Sequence, residues 1–183
     1  MDRKEERDSP RQEIRNRTLT AAAAALVHAQ GDNSSDVAKV TQLVYHSDPA
    51  IREGAINKLA RLARREIAPH INQALNDRDY RVRAAACYAL GRLRVHAAKP
   101  KLYQALSDRQ PTVRCAAAVA LADMGEKYGL SHVARLVCTT DEHQIEALQA
   151  LNQITKQRFP LSRLGIKQAI NWCKLQIKAL DQT

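Results

Sequence analysis

Three arginines recur at a fixed interval of 31 residues, at Arg52, Arg83 and Arg114. Two aspartates, Asp77 and Asp108, share that interval and stand six residues before the second and third arginine. A guanidinium presents a planar fork of N–H donors, which binds a carboxylate or a phosphate through two parallel hydrogen bonds. These residues therefore predict anion recognition, in which the arginines either hold an external anion or pair with acids of the chain itself.

The same interval relates apolar positions along the chain. Self-similarity at a period of about 20–50 residues is typical of a solenoid, in which one unit cannot bury its apolar face alone and packs on its neighbours. Apolar residues make up 45% of the chain and are largely Ala and Leu, which favour helices. The sequence thus predicts an all-α solenoid of stacked antiparallel helix pairs. The matched positions are Val40, Ile71, Leu102 and Val133; Val44, Leu75, Leu106 and Val137; Ala55, Ala86 and Ala117; and Leu59, Leu90 and Leu121.

About four helix pairs are predicted, with one further helix at each end of the chain. The fourth pair is out of phase, because Ala147 and Leu151 follow Ala117 and Leu121 by 30 residues. The predicted helices are Pro10–Ala29, Asp36–His46, Ala50–Arg65, Ile67–Asn76, Tyr80–Arg94, Ala98–Ser107 and Pro111–Met124, an eighth from about Gly129, and a last one at Ser162–Leu180. The corresponding divisions are an N-terminal segment with a capping helix (1–35), repeats (36–157, with units at about 36–66, 67–97, 98–128 and 129–157) and a C-terminal capping helix (158–183).

The charge of the chain is strongly positive, with a formal net charge of +10. Such a charge favours a polyanionic partner, which leaves nucleic acid, an acidic membrane surface and an acidic protein as alternatives. No segment approaches the roughly 18 consecutive apolar residues of a membrane span. The acid-rich N-terminus argues against a signal peptide. We therefore expect a soluble, cytoplasmic protein without a membrane span.

The residue types that bind metals or perform catalysis are scattered. The four cysteines lie on predicted helices without a CxxC motif, so neither a zinc site nor a disulfide framework is predicted. The cluster Asp141–Glu142–His143 precedes a helix, where acids favour capping. No phosphate-binding loop, dinucleotide motif or nucleophile elbow occurs. We expect no catalytic residue, metal or cofactor, and buried free thiols at Cys87, Cys115, Cys138 and Cys173.

One segment carries a family resemblance. From Asp77 to Gly91 the chain reads DRDYRVRAAACYALG, which resembles the D-x-x-x-x-V-R-x-x-A-A-x-A-L-G string of HEAT repeats. The likeness extends over about 36–156 and is greatest to the short bacterial HEAT-like repeats of phycobilisome lyases. Two positions depart from the pattern. His46 stands where the other units have Asp, with Asp48 as a substitute, and Gln144 replaces the arginine of the fourth unit.

The resemblance implies a right-handed α-solenoid and leaves the activity open. The lyase subgroup implies a role in handling a bilin or a chromoprotein. HEAT-like DNA glycosylases use aromatic residues and a carboxylate in a channel, whereas this chain has a single Trp. HEAT-like deoxyhypusine hydroxylases use His–Glu pairs for iron, and none occurs here. An enzymatic role is therefore not predicted.

The aspartates and arginines of the repeat have a structural explanation. An Asp in the turn can accept backbone N–H groups at the start of the second helix, where unpaired donors and the positive end of the helix dipole lie. The Arg, one turn into that helix, can pair with the Asp of its own unit or of the adjoining unit. We predict that the set ties neighbouring units together as a structural ladder: Arg52, Asp77, Arg83, Asp108 and Arg114.

Contact residues are predicted one row further along the second helices, on the concave face. Asn57, Tyr88 and Val119 form one row, and Arg61, Arg92 and Asp123 form the next. Tyr and Arg are enriched at interface hot spots. The alternative is that these are solvated helix positions. The predicted partner-binding residues are Glu53, Asn57, Arg61, Arg64, Tyr88, Arg92, Val119 and Asp123.

These observations lead to three functional hypotheses. The first is a non-enzymatic adaptor whose basic concave face binds an acidic or extended segment of a protein partner. The second is binding of the phosphate backbone of a nucleic acid by the same face, which requires Arg and Lys contacts and strong salt dependence. The third is a chaperone-like subunit of a phycobilin lyase.

Overall fold

The computed structural model describes residues 34–63, 65–138 and 144–180, together with positions 21, 23 and 25. Within these ranges the chain forms helices and turns, and no strand. Nine α-helices and two short 3-10 helices occur in this described part. The α-helices are α1 (Ser34–Leu43), α2 (Pro49–Arg61), α3 (Ala68–Ala74), α4 (Tyr80–Arg92), α5 (Lys99–Ala105), α6 (Pro111–Asp123), α7 (Lys127–Cys138), α8 (Gln144–Thr155) and α9 (Arg163–Leu180); the 3-10 helices are Arg65–Ile67 and His96–Ala98.

The helices stack as pairs. Each even-numbered helix from α2 to α6 packs on the next even-numbered one, and α1, α3 and α5 each pack on the second helix of their own pair. Helix α7 lies against both α6 and α8, and α9 covers α7 and α8. The protein is therefore an all-α solenoid of helix pairs, as the period predicted. The predicted helix at Pro10–Ala29 lies outside the described residues apart from positions 21, 23 and 25, which are helical.

The buried core follows the 31-residue period. The three leucines Leu59, Leu90 and Leu121 have no exposed surface. The equivalent alanines Ala55, Ala86 and Ala117 are also completely buried. Each such leucine contributes about 2–5 kcal/mol to stability, judged by truncation to Ala. Burial of apolar surface between neighbouring pairs therefore supplies most of the favourable free energy of this stack.

Capping aspartates begin two of the second helices. The side chain of Asp48 accepts a hydrogen bond from the backbone N–H of Ala50 at 2.8 Å, and α2 then starts at Pro49. Asp79 does the same for α4 through the N–H of Arg81 at 2.9 Å. Both satisfy a donor that lacks a partner within the helix.

Left-handed residues end the second helices, which the apolar pattern of the sequence did not predict. Ala63, Arg94, Gly125 and Lys156 have positive φ angles of 52°, 50°, 86° and 59°, and they are spaced by 31 residues. This conformation stops a helix and lets following N–H groups bond back to its last carbonyls. For this reason α4 ends at Arg92, two residues before its predicted end.

Gly91 permits a close approach between α4 and α6. A Cβ atom at this position would lie 2.5 Å from Cα and 2.8 Å from Cβ of Ala120 on α6. No real side chain fits at that separation, so one of the two helix backbones would have to move. The absence of a side chain at Gly91 therefore sets the distance between α4 and α6.

We expect Gly91→Ala to lower the free energy of unfolding by about 1–3 kcal/mol, because overpacking forces backbone shifts in a close-packed interior. Urea unfolding followed by circular dichroism measures this change. The adjacent exposed substitution Arg92→Ala is the control and should change stability by less than about 0.5 kcal/mol. Equal stability of Gly91→Ala and the parent protein would contradict the close contact.

Candidate functional site

Two arginines of the ladder bind carboxylates of the next helix pair. Nε and Nη2 of Arg52 donate to the two carboxylate oxygens of Asp77 at 2.8 and 2.7 Å. The same two nitrogens of Arg83 donate to Asp108, both at 2.8 Å. In each pair the Asp follows the Arg by 25 residues. Arg52 and Arg83 therefore pair with the Asp of the adjoining unit and not with an acid of their own unit.

The remaining nitrogen of each guanidinium anchors it to its own unit. In all three ladder arginines Nη1 donates to two backbone carbonyls, five and six residues earlier, in the turn before the helix. These bonds fix the plane of the guanidinium and leave its Nε–Nη2 edge for the neighbouring unit. The acceptors are His46 and Ser47 for Arg52 (2.8 and 2.9 Å), Asp77 and Arg78 for Arg83 (2.9 and 3.3 Å), and Asp108 and Arg109 for Arg114 (3.0 and 3.3 Å).

The first unit replaces the turn aspartate with a histidine. Asp77 accepts a hydrogen bond from the backbone N–H of Asp79 at 2.8 Å. In the first unit Nδ1 of His46 accepts the equivalent bond from Asp48 at 3.0 Å. Asp48 is therefore not the substitute that the sequence suggested. It is the counterpart of Asp79, which caps the next second helix, and His46 itself closes the turn.

The ladder carboxylates are mostly buried and stay ionised. The side chains of Asp77 and Asp108 retain 14% and 15% of their surface. Burial alone would raise the pKa of each carboxyl group. Hydrogen bonds from the paired arginine and from one backbone N–H together outweigh burial and hold each pKa below its usual range. Each pair therefore stabilises the fold above the pKa of an unfolded Asp, about 3.9, and loses that contribution as the pH falls through the lower folded pKa.

We expect Asp108→Asn to lower the free energy of unfolding at pH 7 by about 2 kcal/mol, because Arg83 keeps its charge and loses its carboxylate. Urea unfolding at pH 7 and at pH 3 tests this, and the difference from the parent protein should shrink at pH 3. Asp79→Asn is the matched control at pH 7, since Asn caps a helix as well as Asp. A similar loss in both variants would show that the ion pair is not responsible.

A groove separates α2 from α4 on the face carrying the predicted contact rows. Its volume is about 410 Å³. Four predicted partner-binding residues line it together, and three small residues form the rest of its wall. Two of these side chains are arginines and none is acidic. The lining residues are Gly54, Asn57, Ala60, Arg61, Tyr88, Ala89 and Arg92.

Tyr88 lines this groove together with Arg61 and Arg92. It retains 39% of its surface. Partial burial raises the pKa of its hydroxyl group, with smaller contributions from two nearby cysteines. The phenol therefore remains neutral, and it offers an aromatic surface together with one polar atom.

The other predicted contact residues lie elsewhere. Val119 is fully buried, which corrects its place in the contact row, because α6 packs against α4, α7 and α8. Glu53 is half-buried and lies near Arg81. Asp123 is exposed over much of its surface, and partial burial of its carboxyl group raises its pKa despite the nearby Lys156 and Arg94. The eighth, Arg64, lies outside the described residues.

A second groove, which sequence reasoning did not predict, lies at the turns between helices. Its volume is about 580 Å³. Tyr45 borders it and hydrogen-bonds Nδ1 of His70 at 2.8 Å and Oε1 of Gln73 at 3.1 Å. Two arginines line it: Arg52 is already paired with Asp77, and the exposed Arg78 donates to the carbonyl of Ser47 at 3.3 Å. Although larger, this groove offers an anion less unpaired positive charge than the groove between α2 and α4.

Metal binding and thiol chemistry both depend on His, Cys, Asp and Glu side chains. Within this part of the chain no group of three or more His, Cys, Asp or Glu side chains could hold a metal ion. Cys87, Cys115 and Cys173 are buried and form no disulfide, and burial raises the pKa of Cys87 to about 12. The Asp141–Glu142–His143 cluster and the side chain of Cys138 lie outside what is described.

The repeats match known protein families. Residues 37–109 match the model described as HEAT repeats, and residues 99–128 match the HEAT repeat model. The two matches together span about half of the chain. The chain belongs to the HEAT-repeat family. Members of this family generally mediate protein–protein interaction and scaffolding. No curated protein matches this HEAT-repeat chain, and its likeness to the phycobilisome-lyase subgroup stays a prediction.

No α-helix in the described part of this HEAT-repeat protein is both long and apolar enough to cross a membrane. The longest, α9, has 18 residues.

Proposed function

We propose that this HEAT-repeat protein is a non-enzymatic adaptor that binds an acidic, extended segment of a partner protein in the groove between α2 and α4. The observation that carries the proposal is the lining of that groove, where Arg61, Arg92, Asn57 and Tyr88 come together without an acid. Exposed arginines attract carboxylates and raise the rate of association.

The shape of the groove favours an extended segment over a globular surface. Ala60, Ala89 and Gly54 form a wall of small residues, so the backbone of a ligand can approach the helices closely. Asn57 is exposed and offers both a donor and an acceptor to a peptide group. Tyr88 supplies apolar area at a low cost in conformational entropy.

The basic part of the contact row, Arg61 and Arg92, extends over two helix pairs. In the third pair the position equivalent to Arg61 and Arg92 is Asp123, which is exposed. An acidic ligand is therefore attracted to α2 and α4 and repelled further along the row.

We assign 36–157 to the binding array and 158–183 to its C-terminal cap. Buried cysteines without a disulfide fit a reducing compartment, and we place the protein in the cytoplasm.

We expect the double variant Arg61→Glu/Arg92→Glu to bind a fluorescein-labelled deca-glutamate peptide at least about tenfold more weakly than the parent protein, since two attractive charges become repulsive. Fluorescence anisotropy at 50 mM salt measures this. The matched control Arg78→Glu/Arg158→Glu changes the net charge equally at exposed positions outside the groove. Equal loss in both variants would place the binding outside the groove.

A single-stranded thymidine decamer tests the nucleic-acid alternative in the same assay. If it binds more tightly than deca-glutamate and its affinity falls steeply between 50 and 200 mM salt, as phosphate contacts require, the adaptor proposal is wrong. If deca-glutamate binds more tightly, the proposal stands.

A photocrosslinker at position 88 tests the groove with natural partners. We expect p-benzoylphenylalanine in place of Tyr88 to crosslink, in nuclease-treated native lysate, to peptides rich in Asp and Glu, identified by mass spectrometry. The same group in place of Tyr80 is the control, because Tyr80 is similarly exposed at 41% but does not line the groove. Identical products from both positions, or products without acidic segments, would count against the proposal.

A further inference from the structure

Helix α9 presents exposed leucines on the side that faces away from the stack. Ala169 and Cys173, on its other side, are completely buried where α9 packs against α7 and α8. Leu164 and Leu175 retain 64% and 68% of their surface. They are separated by about three helical turns and therefore share one side of the helix. Together with Leu161, just before α9, they are the three most exposed large hydrophobic side chains among the described residues.

Positive charge flanks this leucine pair. Lys167 and Lys174 are exposed, and the helical period places both on one flank of Leu164 and Leu175. Arg163 adds a third exposed cation at the start of the helix. From position 147 to position 180 the sequence contains no Asp or Glu. We call this surface the leucine–lysine face and define it by Leu164, Lys167, Lys174 and Leu175.

The combination of aliphatic side chains with positive charge selects among the possible partners of this face. A second copy of the chain would bring the lysines of two faces together without an acid between them. A nucleic acid would bind the lysines through its phosphates, but phosphate contacts use cations and polar groups and leave the leucines in water. A bilayer with anionic lipids offers charged headgroups to the lysines and hydrocarbon to the leucines.

The spacing of the leucines also favours a bilayer over an acidic protein. Gln168 and Asn171 are exposed and lie between Leu164 and Leu175 on the same side of α9. The leucines therefore do not form the compact apolar centre that anchors a protein interface. In a fluid bilayer no such centre is needed, because each leucine enters the boundary between headgroups and acyl chains separately.

We propose that the leucine–lysine face of α9 binds the surface of a membrane that contains anionic lipids. The helix lies parallel to the bilayer plane, with its leucines at the boundary of the acyl chains. The aliphatic stems of the lysines cover this boundary while their ammonium groups stay among the headgroups. This arrangement differs from a membrane span, for which α9 is not apolar enough.

Helix α9 is held in a fixed position on the array, so the face is already formed before it meets a membrane. The side-chain amide of Asn152 on α8 bonds to both backbone groups of Phe159, at 2.9 and 3.0 Å. The ring of Phe159 in turn packs against Trp172 of α9, with 6.1 Å between ring centroids. Membrane binding therefore requires no folding of the helix. None of the residues that line the groove between α2 and α4 belongs to α9, so membrane binding is independent of the adaptor function.

Cosedimentation of the full chain with sucrose-loaded vesicles tests the leucines. The vesicles contain phosphatidylcholine with or without about 30% phosphatidylserine, and we expect binding only to the anionic vesicles, weakened by added salt. Leu164→Gln/Leu175→Gln should bind at least about tenfold more weakly, because two aliphatic side chains no longer leave water. Both positions are exposed, and an unchanged circular dichroism melting curve shows that the variant is folded.

A charge-matched pair of variants tests the lysines in the same assay. We expect Lys167→Gln/Lys174→Gln to bind anionic vesicles about 20-fold more weakly, since each basic residue near an anionic surface contributes about a factor of five. Arg78→Gln/Arg109→Gln removes the same charge from exposed positions in the turns before α4 and α6. It should lower the affinity by less than about threefold.

Tryptophan quenching by lipids with brominated acyl chains tests insertion directly. We expect these lipids to quench the fluorescence that Leu175→Trp adds to the signal of the natural Trp172. Tyr80→Trp is the control, because Tyr80 is exposed on α4, and its added fluorescence should be unaffected.

Four results would overturn the proposal. Equal vesicle binding by the leucine double variant and the parent protein would mean that no side chain inserts. Equal losses in the lysine and arginine double variants would assign binding to the net charge of the chain. Absence of vesicle binding, with a thymidine decamer bound more weakly by the lysine double variant, would assign the face to nucleic acid. Absence of vesicle binding, with a dimer in sedimentation velocity that the leucine double variant abolishes, would assign it to a second copy.

Discussion

The close approach of neighbouring second helices is the constraint on which the rest of the structure depends. Gly91 and Ala120 meet at a distance that excludes any larger side chain, and Ala86 and Ala117 are completely buried. Helices packed at this distance bury their leucines against one another. The same short distance lets an arginine on one second helix reach the turn before the next second helix, because the length of an arginine side chain limits how far its guanidinium group extends.

Hydrophobic burial and the ion-pair ladder have different roles in this solenoid. Buried leucines and alanines supply the favourable free energy, but apolar contacts tolerate sliding of one helix along another. A forked ion pair such as Arg83 with Asp108 satisfies four atoms in one plane, and sliding by a fraction of a turn would break it. The ladder therefore fixes the register between units that packing holds together.

The sequence predicted the features that repeat and missed those that depend on a single environment. The helix pairs, the buried leucines and the joint position of Arg61, Tyr88 and Arg92 all follow from period and helical geometry. The burial of Val119 does not, because it depends on how α7 and α8 cover α6. The left-handed Arg94 was also unpredictable, since such a conformation normally selects Gly and only the backbone reveals it.

The one-unit reach of each ladder arginine has a consequence for how such a chain can change in length. Because Arg52 pairs with an acid 25 residues later, an inserted or deleted segment of one whole period leaves every remaining arginine facing an equivalent turn. A gain or loss of any other length disrupts the pairing at that junction. The chain carries an example before α8, where the interval falls to 30 residues and the motif has neither its acid nor its arginine. The addition or removal of whole repeats is therefore the change in length that leaves every ladder pair of this array intact.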